Sequence, residues 1–566
     1  MTATLPRPED IQASFCAVIV DQWANDGVTH AFVAPGSRST PLALALAEEP
    51  RIRVEIVHDE RSAAFMALGA GLATGVPAIT LCTSGTAAAH FHAAIVEADL
   101  SGVPLIACTA DRPPELQGIR APQTINQKNL YGDSVRAFID PGVPEWDGRG
   151  QWRNFARQAF DAATGFGRGP VHVNLPFREP LVGAPTDAIH AIDDSVAARD
   201  AVSPTKTDVA MLVEHISGLR GVIVAGHGCR GLKQVVELAE RLNWPVLADS
   251  RSGLQHHDGV ITHADAFLRE PNTSKRLKPE VVLQLGEGPA SKVLGQYLHD
   301  GAAKVIQISD RPENRDPFRD VAIALHGDLK KIVVALLREV QNLNPVANEF
   351  KEAWITADRL AAGVITECLG SSLTEPAVAN TVAESARAGQ IIVASSSMPI
   401  RDLEWYSRIG KGVTVLSNRG ANGIDGVLAT AIGAAATTKK TVYVLIGDVA
   451  FLHDSSSLTA LNKRDVNMRI VVTDNDGGAI FSFLSQKQTL KAERYEQLFG
   501  TPHGTDLIKM AKAHGLKSVG VNTRDALKRA LAGRGVKVIV VKTNRDSNLE
   551  EHNRINSAVS QRLSSQ

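Results

Sequence analysis

No stretch of this 566-residue sequence approaches the roughly 20 uninterrupted apolar residues of a membrane-spanning helix, so no transmembrane span is expected. The first ten residues also lack the basic-then-apolar layout of a secretory leader. Cysteine is scarce: Cys16, Cys82, Cys108, Cys229 and Cys368 are scattered, odd in number and without a CxxC spacing. That argues against a zinc centre or a disulfide framework and for a reducing, cytoplasmic setting. Neither charge is in excess. With 60 Lys+Arg against 61 Asp+Glu the formal net charge is −1, unlike a general nucleic-acid binder, whose surface is basic. Low-complexity tracts and short repeats are missing too. What remains is an ordinary globular composition, 44% apolar and 21% charged. The chain is too long for one core, so two to four domains are expected.

The pattern along the chain predicts an α/β fold of three doubly wound domains with mainly parallel sheets. Residues 11–23 carry apolar side chains at helical spacing, and 31–34, 54–57, 77–82, 104–109 and 171–175 read as strands. Residues 183–207 lose periodicity and gain Ala, Asp, Ser and Pro, which reads as a linker. A second block places strands at 221–226, 244–248, 281–285 and 305–308. A mixed, charged stretch at 340–372 leads to a third, with strands at 391–394, 413–416, 441–446, 469–472 and 537–541, then a polar tail over 547–566. The expected domains are 1–182, 208–340 and 373–566.

Two strand ends in the third block are the most informative. The run from Thr441 to Ile446 ends in Gly447-Asp448, and that from Arg469 to Val472 ends in Thr473-Asp474-Asn475-Asp476-Gly477-Gly478. Asp448 and Asn475 stand 27 positions apart, an interval that fits strand, helix, strand in one parallel unit and puts both polar ends on one sheet edge. Ligands of open α/β sheets bind at that edge. A carboxylate, an amide oxygen and a glycine carbonyl are hard donors suited to magnesium, which completes its octahedron with phosphate oxygens and water. The competing reading is an ordinary Gly-Asp loop after a strand.

The first block carries polar strand ends as well. Ala34-Pro35-Gly36-Ser37-Arg38-Ser39-Thr40-Pro41 stops a strand and offers amides, hydroxyls and a guanidinium before a helix opens, a layout suited to a carboxylate or phosphate. His58-Asp59-Glu60-Arg61 precedes a helical stretch at 62–73. Glu60 is either an acid favoured by the helix dipole or a buried carboxyl that holds and passes a proton. Thr83-Ser84-Gly85-Thr86 and Thr109-Ala110-Asp111-Arg112-Pro113-Pro114 add hydroxyls and an arginine. Gly69-Ala70-Gly71-Leu72-Ala73-Thr74 partly imitates a dinucleotide fingerprint, but it lies inside a helical pattern, where close helix packing is the better reading. In the third block, Ser395-Ser396-Ser397-Met398-Pro399-Ile400-Arg401-Asp402 and Ser417-Asn418-Arg419-Gly420-Ala421-Asn422-Gly423-Ile424-Asp425-Gly426 each put an arginine beyond a strand end. Surface salt bridging would explain any one of them. Arg38, Arg112, Arg401 and Arg419 together suit a substrate rich in carboxylates.

In order and spacing these motifs resemble the thiamine diphosphate enzymes and, within them, the family of 2-succinyl-5-enolpyruvyl-6-hydroxy-3-cyclohexene-1-carboxylate synthases of menaquinone biosynthesis. The resemblance runs from Ala34 to Gly478 and is weakest in the middle block. It implies the thiamine diphosphate-binding fold, with a pyrimidine-binding domain at 1–182, a central domain at 208–340 and a diphosphate-binding domain at 373–566. It implies thiamine diphosphate with Mg2+ or Mn2+ held by Asp448, Asn475 and the Gly477 carbonyl. Glu60 would hydrogen-bond the cofactor's aminopyrimidine and serve its proton transfer. Ile424 would prop the cofactor in its bent shape, and Phe481 would also border it. Decarboxylation of 2-oxoglutarate and addition of the succinyl carbanion to isochorismate would follow. Arg38, Arg401 and Arg419 would assist catalysis, and Ser37, Arg38, Arg112, Gln123, Lys292, Ser397, Arg401 and Arg419 would contact the substrates. The family also implies a homodimer or homotetramer with active sites at the subunit interface.

The sequence departs from the family pattern in places. Gly-Asp-Val replaces Gly-Asp-Gly or Gly-Asp-Leu, Ser395-Ser396-Ser397 replaces Ser-Asn-Ser, and Asp474 and Asp476 add negative charge beside the expected diphosphate. Two rivals stand beside this reading. An acetohydroxyacid synthase-like carboligase would turn over pyruvate and need few substrate-facing arginines. A catalytically silent, metabolite-binding relative would have lost Glu60 or the metal ligands, all of which are present.

Overall fold

The computed structural model describes residues 6–186, 203–301, 303–312 and 316–565. Most of the expected linker, residues 187–202, lies outside the described residues. Among the described residues the chain builds three sheets, and every recorded strand pairing is parallel. The first sheet comprises β1 (His30–Val33), β2 (Arg53–Ile56), β3 (Ala78–Cys82), β4 (Leu105–Asp111), β5 (Phe138–Ile139) and β6 (Pro170–Pro176), in the order β2-β1-β3-β4-β6-β5. The second comprises β7 (Gly221–Ala225), β8 (Val246–Ala248), β9 (Val281–Leu285), β10 (Lys304–Ser309) and β11 (Val321–His326), in the order β11-β10-β9-β7-β8. The third comprises β12 (Ile391–Ala394), β13 (Thr414–Leu416), β14 (Thr441–Gly447), β15 (Asn467–Asp474), β16 (Lys517–Val521) and β17 (Val536–Lys542), in the order β13-β12-β14-β15-β17-β16. Central strands such as β3, β4 and β12 are buried throughout, as expected of parallel sheets covered on both faces.

Each order reverses beside its first strand, and that reversal leaves a crevice at the carboxyl ends of the two strands that flank it. In the first sheet these are β1 and β3, which lead into Pro35-Gly36-Ser37-Arg38 and Thr83-Ser84-Gly85. In the third they are β12 and β14, which lead into Ser395-Ser396-Ser397 and Asp448. The second sheet reverses between β7 and β9, but there the backbones themselves meet. A Cβ on Gly226 would lie 1.6 Å from the Glu287 carbonyl oxygen, and one on Gly286 would lie 2.2 Å from that of His227.

The chain packs as two compact units. One comprises Met1–Asp200, Asn418–Lys439 and His453–Val466; the other comprises Ala201–Ser417, Lys440–Leu452 and Asn467–Gln566. Inside the first, the helices Glu60–Thr74 and Val427–Thr438 touch backbone to backbone. A Cβ on Gly69 would come within 2.0 Å of the Thr430 carbonyl oxygen, and one on Gly433 within 1.9 Å of the Met66 carbonyl oxygen. Gly69 thus serves helix packing and Gly71 the approach to the Pro104 carbonyl, 2.4 Å from a Cβ there, and neither forms a dinucleotide turn.

Three short or exposed strands, β5, β11 and β16, were not expected from the sequence. Nor were two long helices. The stretch read as mixed and charged contains the helix Glu349–Leu369, which buries Phe350, Trp354, Ala357, Ala361, Val364 and Ile365 at helical spacing. The supposed polar tail is the helix Arg545–Ser564, capped by Asn544. Its buried stripe of His552, Ile555, Val559 and Leu563 packs with the helix Glu349–Leu369 in one core. No described helix is long and apolar enough to cross a membrane.

Gly69→Ala or Gly433→Ala should force these helices apart and cost roughly 1–3 kcal/mol. Gly363→Ala is the control: it also lies within a helix, and a Cβ there meets nothing within 4 Å. It should be neutral or slightly stabilising. Denaturation midpoints of the three variants check this.

Candidate active site

Asp448 follows β14 directly, and β14 pairs with β15 so that Gly447 lies opposite Thr473. The two strand ends therefore finish side by side, although the link between them holds a short helix, Asp448–His453, and two 3-10 turns in place of one long helix. The Asp448 carboxylate is buried, 2% exposed. One oxygen accepts from the Val449 amide at 2.7 Å; the other accepts from the amides of Asn475 at 3.1 Å and Gly477 at 3.0 Å. Gly477 adopts φ +139, and a Cβ there would lie 1.8 Å from the Gly500 carbonyl oxygen. Only glycine allows the loop to turn so tightly beneath the carboxylate.

Asn475 donates through Nδ2 to Glu375 Oε1 at 2.9 Å, while its own Oδ1 is buried without a hydrogen-bond partner. The Gly477 carbonyl accepts from the Ala479 amide at 3.1 Å and keeps a second lone pair. A buried carboxylate, an unpartnered amide oxygen and a loop carbonyl form a hard-oxygen set that fits Mg2+ or Mn2+. Burial, reinforced by Asp474, holds the Asp448 carboxyl above its usual range, against the hydrogen bonds it accepts.

Asp474 and His503 also lie close enough to Asp448 to be considered cation ligands, but Asp474 is held in an ion pair with Lys542 and His503 lies against Asp448 itself. His503 Nδ1 accepts from the Thr505 amide at 3.0 Å, so its proton sits on Nε2, 3.3 Å from Asp448 Oδ2. This ring is a donor, not a ligand. Asp474 pairs with Lys542 at 2.6 Å. Asp476, at φ +59, turns away to accept from the amides of His503 and Gly504. The extra negative charge expected beside a diphosphate is therefore largely spent on these neighbours.

Elsewhere in that unit, Ser397 takes a left-handed φ of +73, and its carbonyl accepts from Arg401 Nη1 at 2.5 Å. The Ser395 hydroxyl is buried without a partner at the same strand end. Phe481 stacks edge-on with Phe499, ring centroids 5.4 Å apart. Lys292 is exposed at the start of the helix Lys292–Asp300, and among the described residues no hydrogen bond or ion pair joins it to Asp448, Asn475 or Arg401.

The other unit holds the remaining residues. Glu60 is the first residue of its helix, half-buried, behind the N-cap Asp59, whose side chain accepts from the Arg61 amide. Arg38 is buried, with Nη1 donating to the Phe177 carbonyl at 2.9 Å and Nη2 to Glu179 at 2.8 Å; its Nε lacks a partner. Burial, then the nearby Arg112, pulls its pKa below the ordinary arginine range. Arg112 follows β4 with a buried, unpartnered Nε of its own. Ser37 is exposed; Gln123, at φ +56, donates to the Ser84 carbonyl. The loop bearing Arg419 and Ile424 is tied down by Glu97, whose carboxylate accepts from the amides of Gly420 and Ala421, each at 2.7 Å.

Sequence reasoning missed Glu375 and Glu97. Glu375 follows Thr374 and precedes Pro376, which reads as an ordinary helix start, and the helix Glu375–Ser385 does begin there with Thr374 as N-cap. Its carboxylate accepts from Asn475, from Thr543 Oγ1 at 2.8 Å and from Asn548 Nδ2 at 3.0 Å. Burial, aided by Asp402, pushes it up to about 7, while the donors from Asn475 and Thr543 favour the ionised form.

Three family models match the chain: the N-terminal TPP binding domain of thiamine pyrophosphate enzymes over residues 14–130, their middle domain over 198–393, and their C-terminal TPP binding domain over 403–541. Among similar proteins, 2-succinyl-5-enolpyruvyl-6-hydroxy-3-cyclohexene-1-carboxylate synthase of Listeria innocua is 36% identical, over 96% of this chain and 97% of its own length. The synthases of the same name from Chloroflexus aurantiacus and Thermobifida fusca are 38% and 37% identical, over 97% and 93% of this chain and 96% and 95% of theirs. Benzoylformate decarboxylase from Polynucleobacter necessarius shares the fold, with a TM-score of 0.72 at 19% identity over 94% of this chain and 99% of its own.

Cation binding at Asp448 should depend on pH with a definite sign. Because the folded carboxyl titrates above its unfolded value of 3.8, the folded state holds the proton longer. Its contribution to the stability of the cation-free chain therefore falls as pH rises above that value. A divalent cation needs the ionised form, so stabilisation by Mg2+ or Mn2+ should grow as pH rises above 3.8. Unfolding midpoints with cation and with chelator across that range test this; a constant difference contradicts it.

Proposed function

This chain belongs to the 2-succinyl-5-enolpyruvyl-6-hydroxy-3-cyclohexene-1-carboxylate synthases, within the thiamine diphosphate enzymes, and on that premise we propose how its residues divide the work. The reaction is decarboxylation of 2-oxoglutarate and addition of the four-carbon remainder to isochorismate, in menaquinone biosynthesis. The observation that carries the assignment of the site is the oxygen set of Asp448, Asn475 and Gly477 at the strand-order reversal of the third sheet.

When bound, thiamine diphosphate supplies the electron sink that lets a 2-oxoacid lose carbon dioxide and form a carbon–carbon bond. Asp448, Asn475 Oδ1 and the Gly477 carbonyl would hold Mg2+ or Mn2+ and, through it, the diphosphate. The buried Ser395 hydroxyl, partnerless at the neighbouring strand end, supports a polar group docking there. Glu60, at the head of its helix, would hold and return the proton of the aminopyrimidine. Ile424 would support the bent cofactor from the loop that Glu97 fixes, and Phe481 would border it. Arg38, Arg112, Arg401 and Arg419, with Ser37, Gln123, Ser397 and Lys292, would hold and orient the substrate carboxylates. The unpartnered Nε atoms of Arg38 and Arg112 support this for the first pair, since a buried donor gains most from a new acceptor. The domains proposed for pyrimidine, centre and diphosphate are 1–182, 208–340 and 373–566. The protein would work in the cytoplasm as a homodimer or homotetramer, the acid of one protomer serving the cation site of its partner.

Carbon dioxide should be released from 2-oxoglutarate when thiamine diphosphate and Mg2+ are supplied, with product formation once isochorismate is added. Consumption of pyruvate instead would favour the acetohydroxyacid synthase-like alternative. Glu60→Gln should lower turnover by about 10²–10⁴-fold with cofactor affinity little changed; full activity would remove the proton-transfer role. Sedimentation of the active enzyme should give a dimer or tetramer, and an active monomer would contradict the shared site.

A further inference from the structure

Asn475 differs from Asp448 and Gly477 in one respect: what it offers a cation depends on which way its side-chain amide is turned. A carboxylate or a carbonyl presents oxygen whatever its orientation. A primary amide presents oxygen at one end and a donor NH2 at the other, and the wrong end would repel a cation. Something must therefore hold the amide one way.

Glu375 is placed to do so. It is buried, 3% exposed, and among the described residues no Lys or Arg pairs with it. In its ionised form Glu375 only accepts, and Nδ2 of Asn475 lies 2.9 Å from Oε1, so Oδ1 is left facing away, buried and without a partner. The carboxylate is itself held by two further donors from beyond β15. Thr543 Oγ1 follows β17, and Asn548 Nδ2 belongs to the first turns of the helix Arg545–Ser564. An isolated buried carboxylate is costly. A purely structural hydrogen-bonding role could be filled by glutamine, which carries no charge but could also present its own NH2 to Asn475 and so reverse the amide.

We propose that Glu375 is a positioning residue for the divalent cation: by accepting from Asn475 Nδ2 it locks Oδ1 toward the cation, and Thr543 and Asn548 lock Glu375 in turn. The inference rests on the reading above, in which Asn475 is a cation ligand. It makes the helix Arg545–Ser564 part of the cofactor site through a relay of two side chains.

The test is a four-protein cycle of wild type, Glu375→Gln, Asn475→Asp and the double variant. Each is titrated with Mn2+ in the presence of thiamine diphosphate, free Mn2+ being read by electron paramagnetic resonance, with circular dichroism to establish folding. Glu375→Gln should weaken Mn2+ binding about 10–100-fold, the usual effect of removing a partner that orients a metal ligand. Asn475→Asp should also weaken it, because two carboxylates would then face each other. In the double variant the introduced glutamine can donate to one oxygen of the introduced aspartate and leave the other for the cation, so affinity should recover most of the loss. A merely structural role predicts that the two losses multiply. Unchanged affinity in folded Glu375→Gln, or multiplied losses in the double variant, would overturn the inference while leaving the functional reading intact. Failure of wild type to bind Mn2+ with the cofactor would overturn both. Should Glu375→Gln not fold, Thr543→Val removes one anchor of the carboxylate and should weaken Mn2+ by about tenfold; no change there would equally count against the relay.

Discussion

The parallel register of β14 against β15, with Gly447 opposite Thr473, is the constraint on which the cation site depends. It ends both strands at one level, so that the Asp448 carboxylate meets the amides of Asn475 and Gly477 as they turn out of the sheet. A slip of one residue would turn Asp448 to the other face of the strand. The register is itself set by burial: Val442–Ile446 of β14 and Met468, Ile470, Val471 and Val472 of β15 are buried apolar residues that cannot be exposed without loss, beside the buried Arg469. Hydrophobic packing of the sheet thus determines the position of a charge. That charge is unfavourable in the cation-free chain, which is how a binding site carries strain that its ligand relieves.

The three sheets use one plan with different outcomes. Each reverses its strand order beside its first strand, but the first and third leave polar loops at that reversal, whereas the second brings Gly226 and Gly286 against the opposing backbone. The same topology therefore yields two sites for ligand chemistry and one packed joint. The difference lies in a pair of glycines that let carbonyl oxygens approach where a side chain would hold the strands apart.

The fold was legible where burial is two-sided. Strands β9 and β12 coincide with the apolar runs at 281–285 and 391–394, because turn-forming residues bound them sharply. The helix Arg545–Ser564 was not legible, since its apolar stripe is only one residue per turn and the rest of its surface is polar. In the site, Asp448 and Asn475 could be paired from spacing because one parallel unit separates them. Glu375 and Asn475 lie 100 positions apart and Glu97 and Gly420 lie 323 apart, distances at which no local pattern survives. Composition also misled at Asp476. It counted as added charge at the site, but its left-handed backbone turns it toward the amides of His503 and Gly504.

Asn548, which anchors Glu375, is made 173 residues after it and 73 residues after Asn475. On a ribosome, which releases a chain from its amino end, β14 and β15 can pair and Asp448 can collect its amides well before that anchor exists. During this interval the amide of Asn475 has its carboxylate neighbour but not the clamp that steadies it. Vitamin-derived coenzyme and metal should then be captured firmly only after translation has passed the helix Arg545–Ser564.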